Sequence, residues 1–191
     1  MNAIPAAASL LSSEAIASPR AAELLDNPES IDDPVLGFFL DYHRRTRLGR
    51  KLPLRKSFVP QEVRANLQWV TVADALPGLK DFRYRVVGSR VCDYYLGDGT
   101  GKTVREAFVE APIVGKSVLR LYRHTCTLAV PVLFSGPAII MNSLYFPEHA
   151  LLLLPYSSDG ETADRVIVAL SYDRLKLHDT RGAASNAHRL S

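Results

Sequence analysis

The run Gly97-Asp98-Gly99-Thr100-Gly101-Lys102-Thr103 is where the residue types of this chain first suggest chemistry, because glycines ahead of a Lys-Thr pair can wrap a phosphate. The spacing does not fit. A GxxxxGK[ST] loop needs its first glycine where this sequence has Leu96, and it should leave a hydrophobic strand rather than Cys92-Asp93-Tyr94-Tyr95-Leu96. A glycine-rich turn closed by Thr103 as a helix cap accounts for the same residues. His124 falls on an expected long helix, where a proximal imidazole could hold haem iron. It lies at the edge of that helix's apolar stripe, and lone helical histidines are mostly surface or satisfied core residues. Cys92 and Cys126 are far apart and form neither a CxxC nor a metal-ligand cluster, which reads as two reduced thiols in a cytoplasmic protein. No GxSxG elbow, HExxH or paired-carboxylate motif is present, so the sequence is read as non-enzymatic, with no cofactor and no metal implied.

Two larger groups of residues could bind. Trp69, Tyr84, Tyr94, Tyr95 and Tyr122, with His124, could line a pocket with polar tips in an apolar wall; the same aromatics could equally fill a core. The densest charge is the basic cluster Arg44, Arg45, Arg47, Arg50, Lys51, Arg55 and Lys56. It would suit an anionic partner: nucleic acid, an acidic protein face or the chain's own leader. A solvated helix end and linker is the plainer reading. No nucleic-acid motif accompanies the cluster and no aromatics interleave it after Tyr42, which disfavours nucleic acid.

The elements that must position these residues follow from composition and periodicity. With 47% hydrophobic and 23% charged residues, the 191-residue chain can bury a core without disulfides or metal. No run approaches the roughly 18 apolar residues of a membrane span, and the first residues lack the basic start and apolar stretch of a secretory signal. A cytoplasmic location is expected. Net charge is +3, unevenly spread. Residues 1–33 carry six carboxylates against Arg20 alone, so they hold −5 and the remainder +8. That stretch reads as a mobile acidic arm, and residues 174–191 as a flexible tail.

Between them, 34–66 should hold N-terminal helices and a basic linker, and 67–173 a folded core. Asp33-Pro34 predicts a helix start, with Val35, Phe38, Phe39 and Tyr42 at helical spacing and Gly49 as the stop. That apolar face is expected to pair with a second copy in a homodimer. A short helix is expected at 60–66 and a strand at 67–73, with a turn at Pro77-Gly78. In the next strand Phe82, Tyr84 and Val86 alternate with Arg83, Arg85 and Val87, so the first three should face inward. Short helices follow at 89–96 and 102–108, then a long one at 112–128 with Val114, Val118, Leu121, Tyr122 and Thr125 as its core stripe. Strands at 138–146, 150–156 and 165–172 close the chain, joined by turns at Pro147-Glu148-His149 and Ser158-Asp159-Gly160. Short connections and segregated helices make this an α+β fold with antiparallel pairing.

The wording of three segments resembles a family of bacterial single-domain PAS-like proteins. FRYRVVGSRVCDYYLGDGTGKTVREAF (82–108) is similar to its F-R-Y-R-x-V-G-[ST]-R stretch, glycine loop and G-[KR]-x-[LV] helix start. LLLLPYSSDGETADRVIVAL (151–170) resembles its LLLP-L-x-x-D-G hairpin, with Tyr156 standing where Leu is the rule. FFLDYHRRTRLGRKLPLRKSFVPQEV (38–63) fits its leading helix and basic linker. The resemblance implies a five-stranded antiparallel sheet with helices on one face and an additional N-terminal amphipathic helix. It also implies a signalling module that regulates partners such as two-component kinases by protein–protein contact, or else a sensor with a small ligand in its pocket. Within that family haem would use a helical histidine such as His124. A flavin photosensor would need an Asn-Cys-Arg-Phe stretch and a downstream Gln, which the surroundings of Cys92 lack.

Overall fold

A computed structural model of the chain describes residues 23–94, 97–140, 144–171 and 178–179. The expected arm before residue 23, the tail beyond 179, Tyr95 and the side chain of Tyr94 lie outside the described residues. The chain runs through β1 (Glu23–Asp26), α1 (Pro34–Thr46), β2 (Val70–Ala75), β3 (Phe82–Val87), α2 (Ser89–Tyr94), α3 (Val104–Ala107), α4 (Pro112–Leu128), β4 (Val132–Ile140), β5 (Leu144–Ser157), β6 (Ala163–Ser171) and β7 (His178–Asp179). Every strand pair is antiparallel, in the order β1-β4-β5-β6-β2-β3, and β7 pairs with the start of β5. The strands expected at 67–73, 82–87, 150–156 and 165–172 correspond to β2, β3, β5 and β6, whereas the one expected at 138–146 is divided between the end of β4 and the start of β5, which pair with each other. β1 corrects the reading of residues 23–33 as part of a mobile arm: Glu23–Asp26 lies along β4, and Asn27 N donates to Pro131 O at 2.6 Å.

Side chains alternate along the two central strands and so build a core on each face of the sheet. Leu153, Val166, Val168 and Leu170 point to one side, where they pack with Phe82, Leu119, Tyr122 and Cys126 under α3 and α4. Leu152, Leu154, Tyr156, Ile167 and Ala169 point to the other, where Leu36, Phe39, Leu40 and Tyr42 of α1 cover them. Each such fully buried side chain contributes about 1.5–3 kcal/mol. Helices α2–α4 thus cover one face, and the added N-terminal helix covers the opposite one.

α1 begins as its sequence dictates. Asp33 Oδ1 accepts from Val35 N and Leu36 N, both at 2.9 Å, and Pro34 occupies the first turn. The other carboxyl oxygen of Asp33 bonds Ser171 Oγ, tying the helix start to the end of β6. Leu48 and Gly49 take positive φ and stop the helix. Tyr42 fastens the following linker, donating to Ser57 O at 3.0 Å and accepting from Val59 N at 2.9 Å.

Five sequence expectations need correction. The stretch 60–66 forms successive turns rather than a regular helix, and the 3₁₀ turn Leu67–Trp69 delays β2 to Val70. In β3 the register skips Arg85, since Val72 pairs with Val86 and Ala73 with Tyr84. That bulge reverses the alternation after Tyr84, so Val86 is exposed and Val87 turns inward. β4 starts at Val132, directly after Ala129 closes α4 in the left-handed region at φ 55°. The turn expected at Pro147-Glu148-His149 is instead strand: β5 continues through it, and pairing jumps from Gly136–His149 to Ala138–Phe146. Prolines 137 and 147 both fall in this irregularity, where a missing N–H costs the ladder least.

Candidate functional site

Between the sheet and helices α2–α4 lies a cavity of about 80 Å³. The sheet contributes Thr71, Tyr84, Val87, Leu151, Leu153, Val168 and Leu170, and the helices Val91, Ala107, Phe108, Val118, Leu121 and Tyr122. Gly97 and the buried Gly99 complete its lining. Alternation on β5 and β6 puts every second residue on this side, and the three- and four-residue spacing on α4 brings Val118, Leu121 and Tyr122 to face them. The wall is almost wholly apolar. Its polar feature is the phenol of Tyr122, whose pKa burial raises and hydrogen bonds to Thr71 and Tyr84 draw back down. The Tyr122 ring is also fixed edge-on against Phe82, with centroids 5.2 Å apart.

Of the aromatics expected at a pocket, Tyr84 and Tyr122 line this cavity. Trp69 does not. It sits half-buried on the 3₁₀ turn before β2, with the Arg90 guanidinium 6.0 Å from its ring centre. His124 does not line it either: its Nε2 lies 2.8 Å from Asp26 Oδ1, which directs the imidazole toward β1. Sequence reasoning passed over Thr71, Leu151, Leu153, Val168 and Leu170. The signal available for them was the period-2 pattern, which cannot say which face of a two-sided sheet a residue takes.

The glycine loop that lines the cavity is built as a turn and a cap. Asp98 Oδ1 accepts from Thr100 N at 2.8 Å, and Gly97 and Gly101 take positive φ. Thr103 then caps α3 in a reciprocal box: its Oγ1 accepts from Glu106 N at 3.2 Å while Glu106 Oε2 accepts from Thr103 N at 2.7 Å. Two further glycines permit close approaches nearby. A Cβ on Gly88 would stand 2.3 Å from Gln68 O, and one on Gly115 would stand 2.8 Å from Phe108 Cβ. Both thiols are unpaired, and burial pushes that of Cys126 up to about 12.

The expected dimer face divides. Phe39 and Tyr42 are buried against the chain's own sheet, whereas Val35 is half-buried and Phe38 exposed. The sheet draws α1 down through Leu36, Phe39 and Leu40, a stripe rotated from the one expected. The basic cluster is also partly engaged. Arg44 donates to Pro28 O and Glu29 O at 2.7 Å each, Arg45 stands 3.6 Å from Glu62 and 5.3 Å from the Tyr42 ring centre, and Arg55 pairs with Asp164 at 2.8 Å. Arg47, Arg50, Lys51 and Lys56 are exposed, with no ion pair among the described residues. Among those residues, too, no helix is long and apolar enough to cross a membrane.

No curated protein matches the chain. Among solved structures it is similar to a sensory box sensor histidine kinase from Vibrio cholerae, at 17% identity and a TM-score of 0.40, with 58% of this chain and 86% of that one covered. It is also similar to an RNA-binding Light-Oxygen-Voltage receptor, at 15% identity and a TM-score of 0.42, over 79% of this chain but only 38% of the receptor. A family profile described as PAS domain matches residues 32–171, from just before α1 to the last residue of β6. The chain belongs to the PAS domain family.

Proposed function

We propose that this PAS domain is a non-enzymatic signalling module that regulates partner proteins, such as two-component kinases, through protein–protein contact in the cytoplasm. The observation that carries the reading is the size of the cavity. At about 80 Å³ it falls well short of the roughly 300 Å³ at which pockets for cofactor-sized ligands begin. Tyr84, Phe108 and Tyr122 occupy the space such a ligand would need, so these aromatics act chiefly as core. A domain of this kind passes on a signal by what its surface touches.

A second reading has its own support. The Tyr122, Tyr84 and Thr71 side chains bring hydroxyls to an apolar cavity, which suits a ligand of a few heavy atoms bearing one polar group. Such a ligand would act by favouring one conformation over another. Native mass spectrometry of freshly purified protein separates the two. The expected result is the mass of the polypeptide alone. A stoichiometric adduct of cofactor size would overturn the adaptor reading in favour of the sensor.

A further inference from the structure

Asp74 lies on β2, on the face of the sheet that carries α1, with its side chain only 8% exposed. Three guanidiniums converge on it. Arg165 Nε lies 2.6 Å from Oδ1, Arg85 Nε 2.7 Å from Oδ2, and Arg55 Nη1 3.3 Å from Oδ1. Burial alone would raise the pKa of this carboxyl, but the hydrogen bonds and charges of Arg165, Arg85 and Arg55 outweigh it and hold the group below its usual range. A single arginine balances the charge of a carboxylate and can bind it bidentately. Here three arginines face two acids, Asp74 and Asp164, so one positive charge is left over.

The way the arginines bind adds to the charge argument. Arg55 spends Nη1 on Asp74 and its Nε and Nη2 on Asp164. Arg85 and Arg165 each reach Asp74 through Nε alone, and neither donates an Nη hydrogen to any described acceptor. The Arg165 side chain is 20% exposed and that of Arg85 53%. Two forks are therefore fixed to the two oxygens of one carboxylate, on the strands that flank it. Arg83 stands across from Asp74 in the β2–β3 register, which puts it on the same face. α1 packs on β5 and β6, and the exposure of Arg85 and Val86 shows that it leaves the outward side of β3 open.

We propose that Arg85 and Arg165, held apart by Asp74, form a phosphate-binding fork on the outer face of the sheet. Phosphate brings close to two negative charges and several acceptor oxygens, which suits two guanidinium edges and the surplus charge around them. This site is independent of what fills the cavity. The phosphate could arrive on a small molecule or on a phosphorylated side chain of a partner, and the shared chemistry is the same.

The test uses the full chain with arginine side-chain ¹H–¹⁵N spectra, titrating inorganic phosphate against chloride at constant ionic strength. Saturable shifts of the Arg85 and Arg165 Nε–H signals are expected. Arg85→Gln, at an exposed position, should raise the dissociation constant roughly tenfold or more while the amide spectrum away from the site is unchanged. Arg85→Lys should do the same, because an ammonium is a point charge without a fork. Arg47→Gln, in the basic linker, should have no effect. Tighter binding of O-phosphoserine than of inorganic phosphate would assign the source to a phosphorylated partner, and equal binding to a free small phosphate. Lack of saturation, wild-type affinity in Arg85→Lys, or an equal loss in Arg47→Gln would overturn the proposal.

Discussion

Acid should loosen α1 from the sheet through His43. The ring is buried where α1 meets β5; its Nε2 donates to Pro155 O at 2.9 Å, and its Nδ1 has no hydrogen-bond partner among the described residues. Burial lowers its pKa from 6.5 to about 4; the Pro155 carbonyl acts against that shift, and Arg47 and Arg44 act with it. Between those two pH values the unfolded chain takes up a proton that the folded chain refuses. The neutral ring's full stability is therefore present above about pH 6.5, is lost progressively as pH falls, and is gone below about pH 4. At about 1.4 kcal/mol per pH unit the total is roughly 3 kcal/mol, a large share of a typical domain's stability. His149, also lowered by burial, adds a loss of the same sign. His43→Gln isolates the effect, since the glutamine amide can still reach Pro155 O but cannot titrate. Urea unfolding from about pH 7.5 to about pH 4.5 should show wild type losing stability faster than the variant, the difference changing by about 2–3 kcal/mol. A difference that stays constant with pH would refute the reasoning.

Thr103→Ala removes the hydroxyl half of the box that starts α3 and should cost about 1 kcal/mol in urea unfolding, with the slope of the transition unchanged. Gly88→Ala forces a methyl against the Gln68 carbonyl and should cost about 1–3 kcal/mol. A loss under about 0.5 kcal/mol would mean that the Leu67–Trp69 turn yields more readily than its contacts indicate.

What could be read in the sequence was what local pattern decides. The Asp33-Pro34 start of α1, the stripe on α4 and the turn at Ser158-Asp159-Gly160 each depend on neighbours within a few residues, and each is present in the structure. Tyr84 and Tyr122 came out as cavity residues because one stands on an alternating strand and the other on an amphipathic helix. Long-range geometry decided the rest. His124, a pocket candidate at the edge of the α4 stripe, turns instead to Asp26, 98 residues away. A single extra residue in β3 exchanged the roles of Val86 and Val87. β1 was missed because Glu23-Leu24-Leu25-Asp26 shows neither alternation nor length, and its strand form depends on the edge that β4 offers.

Leu151, Leu152, Leu153 and Leu154 serve the two cores in turn, so a slip of β5 by one residue would still place leucine on both faces. Hydrophobicity, which ordinarily fixes strand pairing, carries no positional information across this run. That information sits at its far end. Tyr156 fits the α1 side between His43 and Phe58, with ring centroids 5.4 and 6.1 Å away. Ser157 Oγ lies 2.6 Å from Asp159 Oδ1 and from Thr162 O and accepts from Gly160 N at 2.9 Å, gathering the reversal into β6 around one atom. The centre of the sheet is thus a repeat that cannot count itself, and the hairpin corner does the counting for it.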